Sequence, residues 1–211
     1  ELSLPISGGD FFIFKNLFLK KSLAFKGVGD GKKLYTLSSK PSSSVLQEDI
    51  ESVTDWEILE GAGEFYVQDQ VKIFGKQALF MAAKPDESLE IQGEVLKNVR
   101  IEKPSMVILV DAELPDKKES LDSVIPRLTL TSPEYGLNDA VLLMGLVNVR
   151  LVLLMDGGQD GEASYVWRGA ASVGLIPPGN YSFNLRLLVR PGESTLYDGF
   201  RLFLAELEET H

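Results

Sequence analysis

The sequence predicts an all-β protein, a two-sheet antiparallel jelly-roll sandwich. Three observations lead there. Strand-like pieces bounded by Gly and Pro recur roughly every 10 to 15 residues. No long amphipathic helical pattern competes with them. One stretch, Val141 to Gly169, reads as a long β-hairpin around which the rest is organised. Val141 to Met155 is nearly all apolar, Asp156-Gly-Gly-Gln-Asp-Gly161 is a turn, and Ala163 to Gly169 brings the chain back. The Val- and Leu-rich first arm suits a strand covered on both faces.

In chain order, Phe11 to Phe14 and Asn16 to Leu19 are short aromatic-aliphatic strand candidates, and Lys33 to Leu37 is another. Ser38-Ser-Lys-Pro-Ser-Ser-Ser44 reads as a flexible loop. Val45 to Thr54 is expected to form a short helix, with Leu46, Ile50 and Val53 on one face. Strands are expected at Trp56 to Leu59, Glu64 to Val67, Val71 to Phe74 and Gln77 to Met81. Ser88 to Gln92 alternates, with Leu89 and Ile91 on one face. Ser105 to Val110 reads as a buried strand, Asp116 to Ser120 as a charged tip, and Arg127 to Thr131 alternates again. After the hairpin, Ala171 to Ile176 leads into the turn Pro177-Pro-Gly-Asn180. Tyr181 to Val189 then alternates for nine residues, and Gly199 to Ala205 closes the sandwich. Leu151, Leu153, Phe183, Leu185, Leu187 and Phe203 are the expected core.

A chain of 211 residues suffices for one β-sandwich domain, 1–211, with a real core. The net charge of −10, from 21 basic and 31 acidic residues, argues against nucleic acid and against an anionic membrane as partners. Residues 1–45 hold seven Lys against three acids, so they carry +4 and leave −14 for the rest. They read as a basic N-terminal arm that pairs with its own body or with a neighbouring subunit in a homo-oligomer. No apolar run reaches the roughly 18 residues of a membrane span. The start shows neither a signal peptide nor an initiator Met, so a processed or trimmed chain is expected.

The order of several motifs resembles the galactose-binding-like jelly rolls, which include carbohydrate-binding modules. Asn16-Leu-Phe-Leu-Lys-Lys-Ser-Leu-Ala-Phe25 is similar to their opening strand and apolar step. Trp56 and Gly75-Lys-Gln-Ala-Leu79 match the Trp-led strand and the Gly-x-x-Ala-Leu segment. Pro178-Gly-Asn-Tyr181 matches the late turn, and Tyr197-Asp198 the aromatic-Asp pair before the last strand. The resemblance spans residues 16 to 204. It implies the same sandwich, glycans as partners, and a setting in secreted, glycan-active or viral and phage particle proteins. Family members often hold a structural calcium with an acid after the opening Phe and the late Asp. Asp198 is present here, but Lys26 stands where the acid would be.

The residues themselves exclude more chemistry than they name. His211 is the only histidine and there is no cysteine, which leaves no triad, no thiol chemistry and no ordinary zinc site. Gly27-Val-Gly-Asp-Gly31 reads as a loop, not a phosphate cradle. Carboxylate-only catalysis would draw on acids such as Asp111, Glu113, Asp156 and Glu162. The turn Asp156 to Glu162 is oxygen-rich, so Asp156, Asp160 and Asp198 are the candidate Ca²⁺ ligands; no other cofactor is expected. Trp56, Trp167, Tyr165, Tyr181 and Tyr197 are the aromatics a sugar binder would stack on a sugar ring. Trp167, Tyr165 and Tyr181 are the expected ligand platform. The function expected is a non-catalytic carbohydrate-binding or adhesion module, extracellular or virion-associated. The alternative is a structural particle protein, such as a phage or viral capsid, decoration or tail component.

Overall fold

The computed structural model describes residues 25–26, 34–37, 43–48, 50, 52–70, 76–115, 123–146, 151–156 and 162–210. Their side chains are described at 50, 52–70, 76–93, 97–114, 123–145 and 168–209. Among these residues the chain forms β-strands and one 3-10 turn, Pro133–Tyr135, with no α-helix. Every strand pair is antiparallel, and the strands make two sheets.

The smaller sheet has the order β10-β9-β14-β7-β4. Its strands are β4 (Trp56–Gly61), β7 (Leu89–Ile101), β9 (Val124–Ser132), β10 (Leu137–Leu142) and β14 (Gly179–Val189). The larger sheet centres on β8 (Ser105–Pro115), flanked by β13 (Glu162–Ser172) and by the last strand, β15 (Ser194–Thr210). β11 (Met144–Leu146) and β12 (Leu151–Asp156) both pair with β13. β2 (Leu34–Leu37), β3 (Ser43–Glu48) and β6 (Ala78–Ala83) pair with β15. β1 (Phe25–Lys26) adds to β2, and β5 (Gly63–Gln68) to β6. The described parts of 1–45 therefore extend this sheet.

Alternation places the core between the sheets. Along β14 every odd residue from Gly179 to Val189 is buried and every even one is at least partly exposed. Phe183, Leu185 and Leu187 meet Leu109 of β8 and Phe200 and Leu202 of β15 in one cluster. Leu89 and Ile91 share the buried face, as their spacing predicted.

Four expectations need correction. Val45 to Thr54 is no helix: Ser43–Glu48 is a strand, and Ile50, with φ 44, turns the chain. The helical spacing of Leu46, Ile50 and Val53 is overridden by pairing, Leu46 standing opposite Leu202. The same strand takes Ser43 and Ser44 out of the predicted loop. Val141 to Met155 is not one arm of a hairpin. Its start belongs to β10 in the smaller sheet, and the chain crosses at Leu143, 68% exposed, to β11 and then β12 in the larger one. The hairpin itself is shorter, Leu151–Asp156 against Glu162–Trp167. Phe203 is only half-buried, because it stands opposite Ile108 on the other face from buried Leu202. The expected strands at Phe11–Phe14, Asn16–Leu19 and Val71–Phe74, the charged tip Asp116–Ser120, and the side chains of Leu151 and Leu153 lie outside the described residues.

Candidate functional site

The outer face of the smaller sheet carries a half-buried polar row. It arises because even residues of β14 point away from the core. Asn184 stands between Thr129 and Glu94, and Arg186 between Arg127 and Gln92. Arg186 Nε donates to Gln92 Oε1 at 2.7 Å, and Arg127 Nη1 reaches Glu90 Oε1 at 3.4 Å.

Asp139 ties the row together. It has φ 51, a left-handed conformation that Asp tolerates better than most side chains. It lies where the β10–β9 register shifts between Leu137 and Ala140, a bulge of the kind that re-aims a side chain. The bulge brings the carboxylate to β14, one strand beyond its own neighbour β9. There it accepts from Arg186 Nη2, from Thr129 Oγ1, and from Asn184 Nδ2 at 3.2 Å. The Asp139 N–H donates to Thr131 Oγ1 at 2.9 Å. The side chains of Arg186 and Asp139 stay 20% and 33% exposed, so both are held in place and still reach solvent. Planar groups fixed in this way present paired donors and acceptors. Arg127 pairs with Glu90 and Arg186 with Asp139, and Glu94 adds an acid to the row by register.

A second polar cluster is sealed between the sheets. Arg168 Nε and Nη2 grip both Asp111 oxygens at 2.9 Å, and Tyr197 Oη donates to Asp111 Oδ2 at 2.9 Å. Arg168 Nη1 lies 2.6 Å from Glu113 Oε2 and donates to the Val124 carbonyl at 2.6 Å. Glu113 Oε1 accepts from Val124 N–H at 3.0 Å and from Thr195 Oγ1 at 3.1 Å. The larger sheet thus holds both backbone groups of Val124 in the smaller one. Burial pushes Glu113 up to about 7, with Asp111 adding to the rise and Arg168 opposing it. Burial alone would lower Arg168, but the Asp111 and Glu113 carboxylates hold it above its ordinary value. Burial raises the Tyr197 phenol well above its usual range, and Asp111 adds to this.

The expected site residues that are described lie apart. Tyr181 is buried: its hydroxyl donates to the Pro177 carbonyl, and burial, then Tyr135 and Glu134, raise its phenol. The exposed ring is its neighbour Tyr135, 43% exposed, stacked on Tyr181 at 6.0 Å. Trp167 and Tyr165 belong to β13 opposite Leu151 and Leu153; their side chains lie outside the described residues. So do Asp160 and the side chain of Asp156. Asp198 is fully buried in β15, beside Tyr197, which pairs with Glu113. By register Asp156 stands four residues up β13 from the partner of Glu113, so the fold does not bring Asp156 and Asp198 together. No group of three metal-ligating side chains occurs among the described residues. Trp56 packs over Gly93 against the core, and Tyr197 lies within it. Sequence reasoning missed Asp139, Arg186, Asn184 and Gln92. The polar positions of the alternating strands were visible, but not which strands pair.

No family model and no curated protein matches the chain. Among solved structures it is similar to the CBM22-1 xylan-binding domain of Paenibacillus barcinonensis Xyn10C, at 14% identity over 80% of this chain and 99% of that one, TM-score 0.44. It is similar to TmCBM27, a carbohydrate-binding module with specific mannan recognition, at 14% identity over 79% and 99%, TM-score 0.45. It is also similar to a carbohydrate esterase of the Shiga toxin-encoding bacteriophage phi24B, at 11% identity over 78% and 100%, TM-score 0.40. The two-sheet sandwich stands on the strand pairing itself. At these scores the neighbours transfer no residue role and no activity.

Proposed function

We propose that this domain is a non-catalytic carbohydrate-binding module that docks neutral glycan on the outer face of the smaller sheet. The observation that carries the reading is the Asp139 bulge, which holds Arg186 and Asn184 in a half-buried row above the buried Thr129 hydroxyl. Fixed planar donors and acceptors match vicinal sugar hydroxyls at little entropic cost. Binding without catalysis is favoured because Asp111 and Glu113, two of the four acids considered for carboxylate catalysis, are buried against Arg168. Such a module would work outside the cell or on a particle surface.

The test is calorimetric titration of soluble neutral polysaccharides, with an acidic polysaccharide as control. Arg186→Ala and Asn184→Ala should each weaken binding at least tenfold while the melting temperature stays within a few degrees. Unchanged affinity in both variants, or no binding to any neutral glycan, would overturn the reading.

A second reading, a structural particle component, draws on one apolar patch. Val141, Leu143 and Val173 are 53%, 68% and 60% exposed, and Val173 N–H donates to the Leu143 carbonyl at 3.0 Å. Solution mass separates the two: a defined oligomer broken by Leu143→Asp favours assembly, and a monomer removes it.

A further inference from the structure

A second site lies away from the glycan face. Between β9 on one side and β13 and β11 on the other lies a cavity of about 270 Å³ that is partly open to solvent. Its walls are Leu109, Val124, Ile125, Pro126, Met144 and Ala170; Asp111, Arg168 and Arg190 complete the lining.

The three charged groups are not equivalent. Asp111 and Arg168 are committed to each other, and Asp111 also accepts the Tyr197 hydroxyl. That part of the wall is electrically satisfied. Arg190 differs. It is exposed, directly after β14, and its backbone N–H donates to the Ser123 carbonyl. Its guanidinium has no hydrogen-bond or ion-pair partner among the described residues. Asp111 and Glu113 both face Arg168, so Arg190 is the charge of the lining that has no partner among the described residues.

Aliphatic walls offer an apolar tail more than they offer sugar hydroxyls, and a lone guanidinium at the cavity suits a flat anion that it can hold through two parallel bonds. The volume lies just under the range of about 300–1,000 Å³ usual for drug-sized ligands. The occupant is therefore small. We infer that this cavity binds an amphiphilic carboxylate with one short apolar tail, the tail among Leu109, Ile125 and Met144 and the carboxylate on Arg190. The site is independent of the glycan face: it uses none of the same side chains.

Octanoate and octylammonium below their micelle concentrations, and octan-1-ol below its solubility limit, are the probes. The readout is methyl NMR of Ile125 and Met144 in the full chain. Octanoate should shift both methyls saturably, with a dissociation constant in the low-millimolar range or below. Octan-1-ol should bind at least tenfold more weakly, and octylammonium more weakly still. Arg190→Gln, at an exposed position, should reduce octanoate to the level of the alcohol. Ala170→Phe should fill the cavity and abolish the shifts. Three results would each overturn the inference: no saturable shift, equal affinity for the three probes, or an Arg190→Gln variant that binds octanoate like the parent.

Discussion

Replacing Arg168 by Met tests the inter-sheet cluster. Met keeps much of the volume and removes the charge. The structure sets the cost. Arg168 is 7% exposed and faces Asp111 at 2% and Glu113 at 0%. The variant takes two hydrogen bonds from Asp111, the nearest cation from Glu113, and a donor from the Val124 carbonyl. Removing one partner of a buried ion pair costs on the order of 3–5 kcal/mol, because a charge is left in a poor solvent. Against a total stability of about 5–15 kcal/mol that is a large fraction. Urea denaturation at pH 7, followed by Trp fluorescence, measures it. A triple replacement, Arg168→Met with Asp111→Leu and Glu113→Leu, should recover only part of the loss: it removes the stranded charges, but the Val124 N–H and C=O and the Tyr197 hydroxyl still lose their partners. A loss below about 1 kcal/mol for Arg168→Met alone would show that water reaches the cluster and refute the reasoning.

Glu113 makes stability depend on pH. Its folded value, about 7, lies above the ordinary 4.5, so between those values the folded state keeps a proton that the unfolded state releases. Stability should therefore fall as pH rises through this window, by at most about 3 kcal/mol, and Glu113→Gln should flatten the dependence. Urea midpoints of both proteins from pH 4 to 8 check the sign; a parent that gains on the variant across the window contradicts it. Leu202→Ala should cost about 2–5 kcal/mol and Phe203→Ala less than half as much as Leu202→Ala, since only Leu202 is fully in the core; a reversed order in denaturation would misplace the last strand. At Gly93 a Cβ would meet the Trp56 ring at 2.3–2.7 Å, so Gly93→Ala should cost about 1–3 kcal/mol and shift the Trp56 fluorescence, and a neutral change would show that the ring has room to move.

The architecture was legible because strands write a period of two. Tyr181 to Val189 announced both its buried and its polar residues, and Ser88 to Gln92 did the same. The errors came where local pattern met long-range pairing. Leu46, Ile50 and Val53 fit a helix until β15 supplies a partner for the strand. Val141 to Met155 looks like one strand because both sheets want apolar residues, and nothing local marks the crossing at Leu143. The site was less legible still. Asp139 is four residues from the 3-10 turn in sequence, yet its partners Asn184 and Arg186 are 45 and 47 residues away. A register shift and a left-handed φ create that meeting, and neither is written in residue types alone. Asp111 and Glu113 drew notice as acids, but only the fold reveals that both are buried against Arg168.

The most direct measurement is a side-chain NMR titration with a neutral polysaccharide that binds the domain. The Arg186 Nε–H and the Asn184 and Gln92 amide groups should shift together and saturate with one dissociation constant, while the Trp167 indole N–H stays in place. Shifts confined to Trp167, with Arg186 and Asn184 unmoved, would return the site to the β12–β13 hairpin and contradict the proposed glycan face.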